Sequence, residues 1–202
     1  MLDAQYWDER YSSSERLFSG RPNGVLVAEA TGLPPGRALD AGAGEGADAV
    51  WLAEQGWQVT AVDVSKVALD RAARTAEERG VAERIRWHRA DLTQDPPPPA
   101  AFDLVSAQYL PLERAHGPAV PRGLIAAVAP GGTLLVVGHD PTRLPADLLR
   151  RFDPAGYYWP GDVAALLGDD WTVLADETRP RDPAPPGSPH THDTVLLARR
   201  PR

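Results

Sequence analysis

Short apolar runs alternate with amphipathic stretches along most of the chain, the pattern of a parallel β-sheet covered by helices. Arg37–Ala41 reads as a buried strand that runs into glycines and then a helix over about Ala47–Gln55, closed by Gly56. Trp57–Val62 is a second strand ending at Asp63, and Ser65 caps a helix that runs to Arg79, before Gly80. Ile85–His88 supplies the third strand, ending near Asp91. Pro96–Pro99 fit neither a helix nor a central strand and mark a surface connection. Phe102–Ala107 is the fourth strand, a helix follows to about Ala129, and Pro130-Gly131-Gly132 turns into the fifth strand, Thr133–Gly138.

Beyond the fifth strand the order changes: a helix over Gly161–Leu167, an apolar run at Trp171–Ala175, a Pro-rich loop around Arg179–Pro189, and a last run at Asp193–Ala198. No helical signal separates the last two runs, so they are expected to pair antiparallel at one edge of the sheet. Ahead of the first strand lie a helix over Gly24–Ala30 and the turn Pro34-Pro35-Gly36. With 202 residues, 43% of them hydrophobic, the chain reads as a single doubly wound α/β domain, with residues 1–36 as a cap or lid and 37–202 as the core.

Composition narrows the chemistry. There is no cysteine, which excludes disulfides, thiolate nucleophiles and cysteine metal sites. A net charge of −7 opposes attraction to nucleic acid or anionic lipid. The start, MLDAQYWDER, is acidic where a secretory signal is basic and apolar, so a cytoplasmic protein without membrane segments is expected, as monomer or homodimer.

The first strand-to-helix turn, Asp40-Ala41-Gly42-Ala43-Gly44-Glu45-Gly46, can present backbone N–H groups to a ligand. Gly42-x-Gly44-x-x-Ala47 also satisfies a dinucleotide fingerprint. Asp40 tips the balance: a carboxylate there repels a pyrophosphate and suits an ammonium or sulfonium group. Asp63 ends the second strand, where an acidic side chain takes both ribose hydroxyls, and Asp91 follows the third, in reach of an adenine edge. Each aspartate alone reads as a helix cap or turn residue. Three carboxylates at the ends of three successive strands, on the ligand-binding face, point to a nucleoside site.

The stretches ALDAGAGEGADAVWLAEQGWQVTAVDVS, RADL, FDLVSAQYL and APGGTLLVVGHD resemble class I S-adenosylmethionine (SAM) dependent methyltransferases, in particular the small-molecule and tellurite-resistance-like branch. They span Ala38–Asp140, with the N-terminal WDERY matching more weakly. The resemblance implies a Rossmann-like seven-stranded sheet, mostly parallel, with the last strand antiparallel. It also implies that Asp40, Gly42 and Gly44 hold the methionine part of SAM, Asp63 the ribose, Val64 the adenine face, and Asp91 with Leu92 the adenine edge. Gln108, at the end of the fourth strand, joins the cofactor-binding candidates, as do Trp7, Tyr11 and Arg21 of the N-terminal segment, which in this family folds over the donor. Arg21 suits an anionic acceptor or the donor carboxylate.

If the last strand lies beside the fifth, as the resemblance implies, Gly138-His139-Asp140 adjoins His190-Thr191-His192-Asp193 on the ligand face. His139, Asp140, Tyr109 and His192 are therefore the catalytic candidates. Three readings stay open for the cluster: capping of strand ends, acceptor binding or general-base work led by His139, and a metal site built from His139, His190 and His192. Tyr157, Tyr158 and Trp159 are candidate walls of an acceptor pocket, and His116 lies in the loop after the fourth strand. The family's enzymes that methylate exocyclic amines of bases resemble one another in an Asn/Asp-Pro-Pro-Tyr/Phe element after the fourth strand. Here that place reads Ser106-Ala107-Gln108-Tyr109-Leu110-Pro111, which moves the expected acceptor toward small molecules. The alternatives are a nicotinamide-dependent oxidoreductase and a noncatalytic SAM-binding module. Against the oxidoreductase stand Asp40 and the absence of a Tyr-x-x-x-Lys pair, Lys66 being the only lysine.

Overall fold

In a computed structural model, residues 3–144, 149–150, 152–181 and 190–202 are described. The elements run α1 (Ala4–Ser12), α2 (Gly24–Ala30), β1 (Arg37–Ala41), α3 (Ala47–Glu54), β2 (Gln58–Asp63), α4 (Lys66–Glu78) and β3 (Ile85–Arg89), then β4 (Phe102–Gln108), α5 (Ala119–Ala127), β5 (Val128–His139), α6 (Pro160–Ala164), β6 (Thr172–Pro180) and β7 (His192–Arg199). Seven strands form one sheet in the order β3-β2-β1-β4-β5-β7-β6, with β7 antiparallel to both β5 and β6.

The central strands are apolar without alternation because helices cover both of their faces. Successive residues feed opposite layers: Leu135 and Val137 pack with Leu26, Leu52 and Trp57 on one face, and Leu134 and Val136 with Leu124, Val163 and Leu196 on the other. The edge strand β6 is polar and largely exposed, as its sequence TVLADETRP requires.

Several boundaries differ from the sequence expectation. Pro130-Gly131-Gly132 does not turn into β5 but lies within it, at a register shift against β4 where Gly131, at φ +76°, donates to the carbonyls of Arg200 and Pro201. The helix after β4 starts only at Ala119, behind an irregular stretch that contains a 3₁₀ turn over Arg114–His116. The late helix is shorter than expected and starts at Pro160, with Asp162 accepting from the Trp159 N–H. β6 continues to Pro180 because the β7 ladder supplies its partners. Most of the expected loop at Arg179–Pro189, namely residues 182–189, lies outside the described residues.

Helix α1 had no counterpart in the sequence reading. Asp3 caps it by accepting from Tyr6 N, and Asp8 binds it to the start of α4, accepting from Ser65 Oγ at 2.6 Å and Val67 N at 3.2 Å. Burial alone would raise the Asp8 carboxyl, but the Ser65 and Val67 bonds and Arg89 hold it below its ordinary value. No helix among the described residues is long and apolar enough to cross a membrane.

Leu135 has no exposed surface and lies in the centre of the sheet. Leu135→Ala should therefore cost ~2–5 kcal/mol of stability, read as a lower urea midpoint at unchanged slope.

Candidate active site

At the carboxyl ends of β1, β2, β4 and β5 the structure encloses a cavity of about 780 Å³ beneath the N-terminal segment. Its floor is the glycine turn. Gly42, Gly44 and Gly46 take φ of +75°, +53° and +80°, which allows the turn to fold back on β2, with Gly42 N and Ala43 N both donating to Val62 O. Asp63 fixes the turn from the side: Oδ2 accepts from Gly44 N and Oδ1 from Ser65 N, each at 2.8 Å. A Cβ on Gly44 would stand 2.7 Å from the Tyr11 hydroxyl, so only glycine leaves room for the lid above it.

The lid is tied to the turn it covers. Glu45 accepts from Leu17 N and Phe18 N, each at 3.1 Å, and from Arg71 Nη1 at 3.0 Å, while Arg71 Nη2 donates to Ser14 O. Asp48 accepts from both Asn23 N and Asn23 Nδ2 at 2.7 Å. These two anchors flank Ser19–Pro22 and present Arg21 to the cavity. Trp7, Tyr11 and Phe18 follow one another across the lid with ring centroids 5.9 and 6.0 Å apart. Glu45, Asp48 and Asn23 escaped the sequence reading, because their role depends on contacts more than twenty residues away in the chain.

Among the cofactor candidates, Gly42, Gly44, Asp63, Val64, Asp91, Leu92, Gln108, Trp7, Tyr11 and Arg21 all line the cavity. Asp40 does not; it is 2% exposed and buried out of the cavity, with Oδ2 lacking any hydrogen-bond partner among the described residues. Burial, reinforced by the Asp48 and Asp63 charges, drives its carboxyl well above the usual range against one bond from Ala49 N. Burial likewise raises Asp48 and Asp63, opposed by their backbone donors. Gln108 Oε1, also buried, has no partner among the described residues. A floor of crowded carboxylates, with two unpartnered acceptors beside it, suits a ligand that brings positive charge and N–H donors.

The opposite wall comes from the ends of β4 and β5 and from Arg181 and His190, which lie just past β6 and just before β7. Tyr109, at φ +55°, is one of two non-glycine residues in the left-handed region among those described, and its hydroxyl donates to Asp193 Oδ2 at 2.8 Å. His139 Nδ1 lies 3.3 Å from Asp193 Oδ1, and the His139 ring stacks on His190 at 3.8 Å. Burial, with the charges of His139 and Arg181, lowers His190 to about 4, so it is neutral at pH 7. Tyr109, His139, His190, Arg181 and His116 line the cavity.

Asp140 and His192 are not brought there. β7 is antiparallel to β5 with His139 opposite Asp193, so alternation turns His192 and Asp140 to the other face. Asp140 instead caps the turn that follows, accepting from Thr142 N and Oγ1 and pairing with Arg143 at 3.1 Å. The three histidines of the metal reading therefore do not converge, and among the described residues no group of three or more His, Asp or Glu is arranged to hold a metal ion. Tyr157 and Tyr158 are not among the cavity-lining residues, and Trp159 lines a separate groove with Asp140 and Asp162.

A family model described as a methyltransferase domain matches residues 38–132. The chain is 31% identical over 193 residues to the cypemycin N-terminal methyltransferase of a Streptomyces species, covering 90% of this chain and 72% of that one. It is 40% identical over 101 residues to the release factor glutamine methyltransferase of Chlorobaculum tepidum, a match that covers 44% of this chain and spans about a third of that protein's length (34%). A solved structure concerned with conversion of a disulfide bond into a thioacetal group during echinomycin biosynthesis superposes with a TM-score of 0.77 at 24% identity, over 98% of this chain and 92% of that one. At that identity the likeness is one of fold, and it does not select the tellurite-resistance-like branch.

The raised carboxyls set a pH dependence. A group whose folded-state pKa exceeds its unfolded value binds more protons in the folded state, so stability falls as pH rises through that interval. Asp40→Asn should therefore gain stability over the unsubstituted protein in the absence of ligand, and gain more at pH 8 than at pH 5, measured by urea denaturation. The opposite slope from His190 is common to both proteins and cancels in the difference.

Proposed function

The chain belongs to the class I SAM-dependent methyltransferases, with SAM as its cofactor, and on that premise we propose that it methylates a small-molecule acceptor. SAM, when bound, supplies a methyl group on a sulfonium centre, an electrophile with a neutral thioether as leaving group. The protein's work is then to hold donor and acceptor in line and to exclude water.

Asp63 takes the ribose hydroxyls, Val64 the adenine face, and Asp91 with Leu92 the adenine edge. Gly42, Gly44 and Gln108 bound the methionine portion, where the Asp40, Asp48 and Asp63 charges favour its cationic groups. Trp7, Tyr11 and Arg21 close over it. The acceptor lies on the remaining side, against Tyr109, His139, His190 and Arg181.

One observation carries this reading: a single lidded cavity of about 780 Å³ joins the glycine turn to the Tyr109–His139 wall. That volume accommodates a nucleoside donor and one small organic molecule. A segment fastened to the glycine turn by Glu45 and Asp48 covers part of this cavity. The charge of −7 and the Ser106–Pro111 sequence argue further against nucleic acid. The release factor glutamine methyltransferase matches under half of this chain, whereas the cypemycin N-terminal methyltransferase matches 90% of it.

The test is release of S-adenosylhomocysteine (SAH) from SAM over thiol, halide, chalcogen oxyanion, phenol, alcohol and amine acceptors. Turnover with one class is expected; silence across the panel while SAH binds would contradict the proposal. Asp63→Ala should weaken SAH binding at least about tenfold, since hydrogen bonds to a charged group contribute roughly 1.5–3 kcal/mol. Unchanged affinity would remove the ribose assignment.

A further inference from the structure

Asp193 is 1% exposed and is not itself a wall of the cavity, yet it gathers three residues that are. Tyr109 from the end of β4 donates to Oδ2 at 2.8 Å, His139 from the end of β5 approaches Oδ1 at 3.3 Å, and Arg181, just past β6, stands 4.0 Å from Oδ2. Arg181 also lies over the Tyr109 ring at 5.0 Å from its centroid. Four strand ends thus converge on one buried carboxylate.

Asp193 lies directly opposite His139 in the β5–β7 ladder, so both side chains leave the sheet on the same face. A carboxylate against Nδ1 favours the tautomer with the proton on Nδ1 and leaves the Nε2 lone pair for the cavity that His139 lines. The imidazole is faced by Asp193, Tyr109 and His190, and Asp193 is the one carboxylate among them, with Arg181 set against Tyr109 and Asp193. Burial and the nearby Asp193 charge push the Tyr109 hydroxyl above its ordinary value, so it stays a hydrogen-bond donor. A cationic imidazolium formed at His139 meets its counterion at once in Asp193, which is itself 1% exposed.

Resting on the methyltransferase reading above, we propose that Asp193 is a positioning residue that arms His139 as a general base, and that the acceptor enters as an un-ionised O–H or an ammonium N–H. The proton of that X–H group passes to Nε2 of His139, the electron pair left on X forms the bond to the methyl carbon, and the C–S electrons remain on sulfur as SAH. A phenol, alcohol or amine fits this arrangement. Halides and chalcogen oxyanions attack through a lone pair that is already free, with no proton to remove from the attacking atom, and derive no benefit from the pair.

The experiment has two arms. In the first, ¹⁵N chemical shifts of the His139 imidazole are recorded without ligand, in the unsubstituted protein and in Asp193→Asn. The Nδ1-protonated tautomer is expected to dominate in the former and to lose its dominance in the variant; the same tautomer in both would overturn the proposal. In the second, kcat is measured with phenols of graded acidity for the unsubstituted protein, His139→Gln and Asp193→Asn. With a phenol un-ionised at pH 7, His139→Gln should lose about a hundredfold or more, the range typical of general-base catalysis. Asp193→Asn should lose about tenfold or more, and both losses should shrink with a nitrophenol already ionised. SAH affinity should stay within about threefold throughout, which separates a base from a residue that merely supports the fold. Equal losses across the series, or turnover confined to halides and oxyanions, would overturn the inference while leaving the methyltransferase reading intact. Absence of turnover with every acceptor would overturn that reading instead.

Discussion

Like charges held together out of water are the constraint around which the donor end of this molecule is built. Asp40, Asp48 and Asp63 are each at most 9% exposed, and no arginine or lysine forms an ion pair with them among the described residues. What stabilises them is backbone: Gly44 N and Ser65 N on Asp63, Asn23 N on Asp48, Ala49 N on Asp40. The glycine turn keeps its left-handed shape because Asp63 and Val62 hold it there, and the lid keeps its place because Asp48 and Glu45 hold it. Ligand site, turn and cover are therefore joined through these bonds, and Arg71 answers Glu45 while the three aspartates have no ion-pair partner among the described residues.

The acceptor end follows a different logic. There one buried carboxylate, Asp193, is surrounded by a phenol, an imidazole and a guanidinium. The two ends share a cavity but differ in what they ask of a ligand. One has three buried aspartates without an ion-pair partner among the described residues; the other presents groups that hold or move a proton. Tyr109 joins them, since its left-handed backbone turns the β4 end toward Asp193 while Gln108 beside it faces the donor.

Much of this was legible in the sequence. The strand runs at Arg37, Gln58, Ile85 and Phe102 and the Ser65 cap are local signals, and the Asp40–Gly46 motif with Asp63 carried the family resemblance. What escaped was nonlocal. Helix α1 buries only Tyr11 and presents no apolar stripe; it is stabilised by Asp8 reaching α4. The sequence placed His139 near the start of the last strand, but choosing Asp193 over His192 required the register of β7 on β5, and one residue of slip exchanges the faces. The motif says that Asp40 lies near the site and not that it is 2% exposed, because depth of burial depends on the helices packed over the turn.

The central claim, that the donor end is a cluster of buried carboxylates whose charged forms a cationic ligand favours, is tested most directly by calorimetric titration of SAM between pH 5 and 8 in buffers of differing ionisation enthalpy. The account predicts that binding releases protons, and fewer of them from Asp40→Asn, because a cationic ligand drives the raised carboxyls to ionise. Binding without proton release, or saturable binding of NADH in place of SAM, would contradict it.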